Sequence, residues 1–294
     1  MSIPEAHNLP VDSVQSVLDG LFTESEPRTH VMGVLNVTPD SFSDGGLYFS
    51  LEAALARAVS VEQEGGDILD VGAESSRPGS QPLSTEEERK RLFPLLEHIA
   101  EEVRIPVSID TYKAEIAAMA IKAGATIVND ITALRGDPRM GEVVAESGCA
   151  VVLMHMLGTP ATMQIDPVYE SVVDDICSVF EERISYAESL GISRIIIDPG
   201  IGFGKTFEHN LEIVRNLTVF RRFGKPVLVG VSRKSFIGRV LDLPAQERLE
   251  GTAAAVTVSI VNGADIVRVH DVKEMVRVVR VTDALVARGN DREV

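Results

Sequence analysis

The sequence has few of the features that stabilise secreted proteins or anchor membrane proteins. Among 294 residues there are only two cysteines, Cys149 and Cys177, and neither belongs to a CxxC pair. Isolated cysteines of this kind usually act as small buried hydrophobic residues. They are typical of proteins in a reducing cytoplasm. The first residues lack a basic segment followed by an apolar core, and the longest apolar stretch, at 253–261, is too short to cross a bilayer. We therefore expect a cytoplasmic protein.

An excess of positive charge is also missing. The chain has 28 lysines and arginines against 44 aspartates and glutamates, which gives a formal net charge of −16 at pH 7. This balance disfavours nonspecific binding to nucleic acid or to anionic membrane surfaces. It is compatible with an anionic small molecule, because a few converging cationic side chains and backbone N–H groups form a local positive site. We expect small-molecule substrates, with no nucleic acid or membrane partner.

From residue 30 onward, short β-branched segments alternate with amphipathic stretches of helical length. The predicted strands lie at 30–36, 67–71, 106–110, 126–130, 150–154, 194–198, 226–230 and 265–269. Near-continuous apolar strands that alternate with helices indicate a parallel sheet covered by helices. Eight such units match the roughly 250 residues of a closed (β/α)8 barrel better than an open doubly wound sheet.

The sequence thus predicts an α/β protein with one (β/α)8 TIM barrel domain at residues 30–288. Residues 1–29 have no strong periodicity, so we interpret them as an N-terminal extension. A short helix near residues 11–22 is expected to cover the bottom of the barrel. Residues 289–294 are interpreted as a C-terminal tail.

Polar side chains follow nearly every predicted strand, at the end of the barrel where such enzymes build their active sites. They are Asn36, the segment 74–77, Asp110, Asn129, Asp130, His155, Asp198, the segment 232–234, Arg268 and His270. Polar groups at the ends of apolar strands are costly to bury unless they line a shared site. For a single acidic residue such as Asp70 or Asp130, the alternative is that it only caps the next helix.

The loops after the first, second and sixth strands are unusual. Segments 36–50 and 72–82 are long and rich in Gly, Pro and Ser, which is typical of mobile lids or binding loops. The segment DPGIGFGKT at 198–206 looks like a P-loop, but Pro199 stands where that pattern needs Gly. Its glycines instead predict a backbone that passes close to a flat ligand, with Phe203 beside it.

Eight segments together resemble the motifs of the dihydropteroate synthase family. In chain order they are VMGVLNVTPDSFSDGG, DVGAESSRPG, VSIDTYK, VNDI, VLMHMLGTPATMQ, IIDPGIGFGK, PVLVGVSRKSFIG and NGADIVRVHDV, and they extend over roughly residues 30–285. The resemblance implies a transferase of folate biosynthesis that condenses 6-hydroxymethyl-7,8-dihydropterin pyrophosphate with p-aminobenzoate, giving 7,8-dihydropteroate and pyrophosphate. It also implies a sulfonamide target, a homodimer and Mg2+ as the cofactor.

The resemblance further implies the roles of individual residues. The pterin ring is expected on Asp110, Asn129, Met154, Asp198, Phe203 and Lys234. The pyrophosphate is expected on Asn36, Ser76, Arg77, Arg268 and His270, with Mg2+ on the amide oxygen of Asn36. The p-aminobenzoate is expected on Phe42, Ser76, Arg77, Pro78, Lys234 and Ser235. The residues expected to take part in catalysis are Asp110, Lys234, Arg268 and His270.

The chain departs from the commonest family pattern at two positions, with Ala73 where Gly is frequent and Ser76 where Thr is frequent. We expect a small change in packing and no loss of activity. No residue is a convincing general base for the aromatic amine, which favours an SN1-like substitution assisted by Mg2+. Two alternatives are a non-catalytic pterin-binding paralogue and a corrinoid-linked methyltetrahydrofolate methyltransferase. The intact set of predicted site residues argues against the paralogue. The methyltransferase does not need to bind a diphosphate, so it would not need the predicted pyrophosphate-binding residues.

Overall fold

Eight parallel strands form the centre of the molecule in a computed structural model, which describes residues 11–23, 28–37, 46–75 and 79–286. The strands are β1 (His30–Asn36), β2 (Ile68–Gly72), β3 (Val107–Asp110), β4 (Ile127–Asp130), β5 (Ala150–Met154), β6 (Ile195–Asp198), β7 (Leu228–Val229) and β8 (Ile266–Val269). Their order is β6-β5-β4-β3-β2-β1-β8-β7, and a parallel bridge between Ile197 and Val227 joins the two edges. The predicted TIM barrel is therefore confirmed.

Strand β7 is shorter than the segment 226–230 predicted for it. Its regular pairing is with β8, through Leu228 and Val229, and its link to β6 is the single bridge that closes the barrel. Pro226, just before the strand, has no N–H to donate, although its carbonyl oxygen accepts a hydrogen bond from Ile197. The apolar composition thus overestimates how far the regular ladder extends.

Helices alternate with the strands and surround the barrel. They are α1 (Val11–Leu21), α2 (Gly46–Gln63), α3 (Thr85–Glu102), α4 (Ala114–Lys122), α5 (Met140–Ser147), α6 (Val172–Ser189), α7 (Phe207–Arg215), α8 (Ser235–Leu241), α9 (Leu249–Val261) and α10 (Val272–Leu285). In the described ranges, none of them is both long and apolar enough to cross a membrane.

The core has separate layers, because successive residues of a strand point to opposite faces. One layer lies between the strands and the helices, where outward-facing residues such as Leu69 and Val71 meet helix side chains. A second layer fills the bottom of the barrel, where Leu18 and Leu21 of α1 pack against the inward-facing Met32 of β1. The predicted helix at the bottom is thus confirmed, and the upper part of the barrel is left for polar side chains.

Candidate active site

A polar network fills the interior of the barrel around Asp70, which is completely buried on β2. Its Oδ1 atom accepts a hydrogen bond of 2.6 Å from Ser108 Oγ on the neighbouring strand β3. Its Oδ2 atom accepts from Asn129 Nδ2 at 3.2 Å and from Arg268 Nε at 2.6 Å. Asp70 therefore organises two of the predicted site residues. The alternative that it caps the next helix is wrong, because these partners lie on β3, β4 and β8.

Arg268 joins two carboxylates across the barrel. Besides Asp70, its guanidinium contacts Asp110 at the end of β3, with 2.8 Å between Arg268 Nη2 and Asp110 Oδ2. Burial raises the pKa of Asp110 to about 7, an increase that Arg268 opposes and that the charge of Asp70 reinforces. Burial lowers the pKa of Arg268, but Asp70 and Asp110 outweigh it and the net shift is upward. Arg268 thus stays protonated and limits the rise in the pKa of Asp110.

The neighbouring Asp130 differs from Asp70 although it is equally buried. Its carboxylate accepts hydrogen bonds from the backbone N–H groups of Thr132 and Leu134, at 2.7 and 2.8 Å, and from the Thr132 hydroxyl at 2.6 Å. These bonds stabilise a turn in which Leu134 has a φ of +63°. For Asp130 the interpretation as a cap of the next helix is also wrong, because its partners lie in its own loop and α5 begins only at Met140.

Asp198, Lys234 and Phe203 lie together at the ends of β6 and β7. Asp198 Oδ1 accepts a hydrogen bond of 2.7 Å from the backbone N–H of Gly200, and burial raises the pKa of its carboxyl to about 6. The ammonium group of Lys234 lies 4.2 Å from the centre of the Phe203 ring. Burial and Arg268 lower the pKa of Lys234 to about 8, while Asp198 and Asp110 oppose this shift.

An apolar surface borders these charges. Met154, at the end of β5, lies opposite Asp198 in the strand register and is buried with Ile131, Met156 and Met163. Phe203 and Tyr112 pack against this cluster from its edge. Beside it, the loops after β2, β3, β4 and β5 enclose a cavity of about 510 Å3, which is in the size range of small-molecule sites. The arrangement suits a flat heterocycle with hydrogen-bonding edges.

His270 lies just beyond β8, and its Nδ1 atom is 3.0 Å from Ser232 Oγ. Burial and the positive charges of Arg268 and Arg233 lower the pKa of His270 to about 4. At neutral pH the imidazole is therefore uncharged, and it can serve an anion as a hydrogen-bond donor. Asn36, the last residue of β1, pairs with Gly72 at the same end of the barrel.

The segment that carries Lys234 is held by a residue that sequence reasoning missed. Arg248 Nη1 donates to the carbonyl oxygens of Arg233 and Lys234, at 3.0 and 3.2 Å. Arg233 has a φ of +58° and forms an ion pair with Asp271, so the turn is fixed from two sides. No local pattern identifies Arg248, because it lies 14 residues after the lysine that it positions.

Two predicted residues, Glu74 and Ser235, are not part of the cluster of Asp198, Lys234 and Phe203. Glu74 holds the loop after β2, accepting hydrogen bonds from Tyr112 Oη at 2.8 Å and from the Leu83 N–H at 3.1 Å, and it contacts Lys113. Ser235 is exposed at the first turn of α8. Four others lie outside the described residues: Phe42, Ser76, Arg77 and Pro78.

The chain is similar to known proteins over most of its length. Residues 32–270 match the family described as pterin binding enzyme. The dihydropteroate synthase of Bacillus subtilis is 47% identical over 264 residues, which are 89% of this chain and 90% of that protein. A Clostridium difficile dihydropteroate synthase structure, determined in the presence of pteroic acid, has a TM-score of 0.84 and 43% identity, and covers 89% of this chain and 98% of its own. The Xanthomonas albilineans dihydropteroate synthase with 4-aminobenzoic acid has a TM-score of 0.83 and 41% identity, and covers 88% and 94%.

Proposed function

The chain belongs to the dihydropteroate synthase family of pterin-binding enzymes, which makes it a transferase, and we propose that it joins 6-hydroxymethyl-7,8-dihydropterin pyrophosphate to p-aminobenzoate, with release of pyrophosphate. The observation that carries the proposal is the cluster of Asp110, Asp198 and Lys234 around the apolar surface at Met154 and Phe203. This cluster combines buried carboxylates, a cation and an aromatic ring at the catalytic end of the barrel.

The pterin ring would lie against Met154 and Phe203. The 2-amino group and N3–H of a pterin form a pair of donors, which the Asp198 carboxylate can accept side by side. Charge-assisted hydrogen bonds of this kind contribute about 1.5–3 kcal/mol each. Lys234 would donate to the carbonyl and N5 side of the ring, and Asp110 and Asn129 would bind the remaining edge.

The diphosphate would occupy the mouth of the barrel with Arg268, His270 and Asn36. Ser76 and Arg77 are proposed to contribute as well, although they lie outside the described residues. In the described part of the chain, no three His, Cys, Asp or Glu side chains come together to hold a metal ion. Mg2+ nevertheless fits, because it keeps most of its waters and needs few protein ligands beside phosphate oxygens. The Asn36 amide would hold it, and a bound Mg2+ would neutralise charge on the diphosphate.

The p-aminobenzoate would bind next to the pterin, on Lys234, Ser235 and the loop residues Phe42, Ser76, Arg77 and Pro78. The amine is a weak nucleophile because its lone pair is delocalised into the ring. The dihydropterin, in contrast, can spread positive charge as the C–O bond to the diphosphate breaks. We therefore propose an SN1-like order, in which departure of the diphosphate precedes attack by the amine. Asp110 would stabilise the cation and Arg268 the leaving group, and preorganised charge of this kind is often the largest catalytic contribution.

Product analysis tests the proposed function. Purified protein with Mg2+, the dihydropterin pyrophosphate and p-aminobenzoate should form dihydropteroate and pyrophosphate in equal amounts. Binding of the pterin without any product would identify a non-catalytic pterin-binding protein. Methyl transfer from methyltetrahydrofolate to a corrinoid, with no dihydropteroate formed, would identify a methyltransferase.

We further propose that the chain forms a homodimer through α9. The buried face of this helix, with Val256 and Ile260, packs on the barrel, yet Ala254, Val258 and Val261 on the other side are apolar and exposed. A helix that is apolar all round is normally covered on both sides. A second copy of the chain is the partner we propose, and Val258→Glu should convert a dimer into a monomer in sedimentation experiments. A monomeric native protein would contradict the proposal.

For the organisation of the chain we propose a barrel domain at 30–288, flanked by an extension at 1–29 and a tail at 289–294. For its location we propose the cytoplasm. Cys177 is buried, Cys149 is partly buried, and both are free thiols, which is typical of proteins in a reducing compartment. The absence of labelled protein from the cytoplasmic fraction of fractionated cells would contradict this.

A further inference from the structure

Behind the apolar surface at Met154 and Phe203, on which the pterin is proposed to bind, lies a lysine that the proposed function does not use. Lys205, in the loop after β6, is only 2% exposed. Its Nζ atom is 2.9 Å from His155 Nδ1, 3.2 Å from the His155 carbonyl oxygen and 2.9 Å from the Phe203 carbonyl oxygen. None of these three partners is a carboxylate, although a buried lysine is usually paired with one.

The three contacts suit the charged form of the lysine. An ammonium group has three N–H bonds and no lone pair, so it can satisfy two carbonyl oxygens and one imidazole nitrogen at once. Burial and the charges of Lys205 and Arg135 lower the pKa of His155 to about 2, so the imidazole is neutral and its Nδ1 can accept. Burial lowers the pKa of Lys205 to about 7, which Asp198 opposes and Lys234 reinforces.

The same contacts fasten the loop that carries Asp198 and Phe203 to the loop after β5. The backbone of Gly200 passes so close to His155 that an added Cβ would lie 1.9 Å from its carbonyl oxygen. The carbonyl oxygen of Asp198 accepts a hydrogen bond of 2.9 Å from the His155 N–H. On the far side of the loop, Tyr169 Oη donates to the Gly204 carbonyl oxygen at 2.7 Å.

The charge of Lys205 also bears on Asp198. The cations that oppose the burial of this carboxylate come from three elements: Lys234 after β7, Lys205 after β6 and Arg268 on β8. Lys234 and Arg268 are on the substrate side, where a bound ligand can engage them. Lys205 is already held by its three acceptors, so at pH values below its pKa of about 7 its charge acts on Asp198 whether or not substrate is present.

We propose that Lys205 is a positioning residue whose ammonium group, held by His155 and Phe203, fixes the Asp198 loop and keeps the Asp198 carboxylate ionised for the pterin. The proposal rests on the proposed function, because it assumes that Asp198 accepts hydrogen bonds from a pterin. No covalent step is involved. Lys205 acts on the ligand only through Asp198 and the loop.

The test is the pH dependence of pterin binding, measured by calorimetry with 6-hydroxymethylpterin on the native protein and on Lys205→Met. Without the cation, the pKa of Asp198 should rise from about 6. An increase of one pKa unit would weaken binding about fivefold at pH 6 and hardly at all at pH 8, since the carboxyl must lose its proton to bind. The ligand's own titration is common to both proteins and cancels in the ratio.

Tyr169→Phe is the matched control, because it removes a hydrogen bond from the same loop without changing any charge. It should weaken binding by the same factor at pH 6 and pH 8. The same uniform factor for a folded Lys205→Met would overturn the proposal, because it would mean that the lysine only stabilises the loop. If the native protein binds no pterin at any pH, the proposed function fails instead.

A second variant and a measurement on the native protein cover the case in which Lys205→Met does not fold. Lys205→Gln keeps two N–H donors for the carbonyl oxygens and removes the charge, so it should show the same loss at pH 6. In native protein labelled with 13C-lysine, every lysine should have the chemical shift of an ammonium group at pH 6. A buried lysine with the shift of a neutral amine at that pH would contradict the proposal.

Discussion

The replacement Asp70→Asn tests the network inside the barrel most directly. The native carboxylate accepts from Ser108, Asn129 and Arg268 with both oxygens. Asparagine has the same shape, but one oxygen becomes an NH2 group that faces donors, and the charge opposite Arg268 is lost. Breaking a buried ion pair by removing one partner costs about 3–5 kcal/mol. Because domains are stable by only about 5–15 kcal/mol, the variant should fold with a much reduced free energy of unfolding in urea.

Asp130→Asn is the matched control for this measurement. Asp130 is as deeply buried as Asp70 and accepts the same number of hydrogen bonds, but all of them come from its own loop. Its replacement should cost about 1–3 kcal/mol, the typical effect of a mispaired buried group. If Asp70→Asn costs no more than Asp130→Asn, the ion pair with Arg268 does not stabilise the barrel and the reasoning is wrong.

Three further predictions concern binding and catalysis. Asp198→Asn should lower kcat/KM about 100-fold or more, because mispairing a buried group costs about 3 kcal/mol. Near-normal pterin affinity of this variant in calorimetry would contradict the assignment. His270→Ala should weaken binding of the pterin pyrophosphate and leave binding of hydroxymethylpterin unchanged. Arg268→Ala should weaken binding of both ligands, because it leaves Asp70 and Asp110 buried without their cation. Equal losses of both ligands in His270→Ala would argue against a diphosphate role. With ring-substituted aminobenzoates at saturation, single-turnover rates should be nearly independent of amine basicity, and a steep increase would refute the SN1-like order.

The sequence predicts well which strand-end residues border the active site, because their positions depend on local patterns. Met154 and Asp198 end apolar strands and Asn129 is the last residue but one of β4, and in a parallel barrel all strand ends of one polarity lie on the same side. A residue at such a position is therefore a site candidate by its place in the sequence alone. The pattern is less reliable for side chains such as Glu74, which lies two residues beyond β2 but accepts hydrogen bonds from Leu83 of its own loop and from Tyr112 after β3.

The functions of Asp70, Arg248 and Lys205 were decided by tertiary contacts. Asp70 and Arg268 are 198 residues apart in the chain, and Lys205 and His155 are 50 apart. Periodicity reports which face of an element is buried, but not which partner a buried charge will meet across the barrel.

The amino-acid sequence by itself therefore determined the number of strands, the closed barrel and the end of the barrel that carries the polar residues. These properties follow from hydrophobic periodicity and from the rule that parallel strands align their carboxyl ends. Only the tertiary structure decided that Arg268 is shared by two carboxylates and that Lys205 is held by three neutral acceptors. The physical reason is that a buried charge is tolerated only where specific groups surround it, and barrel closure brings those groups together from distant parts of the chain.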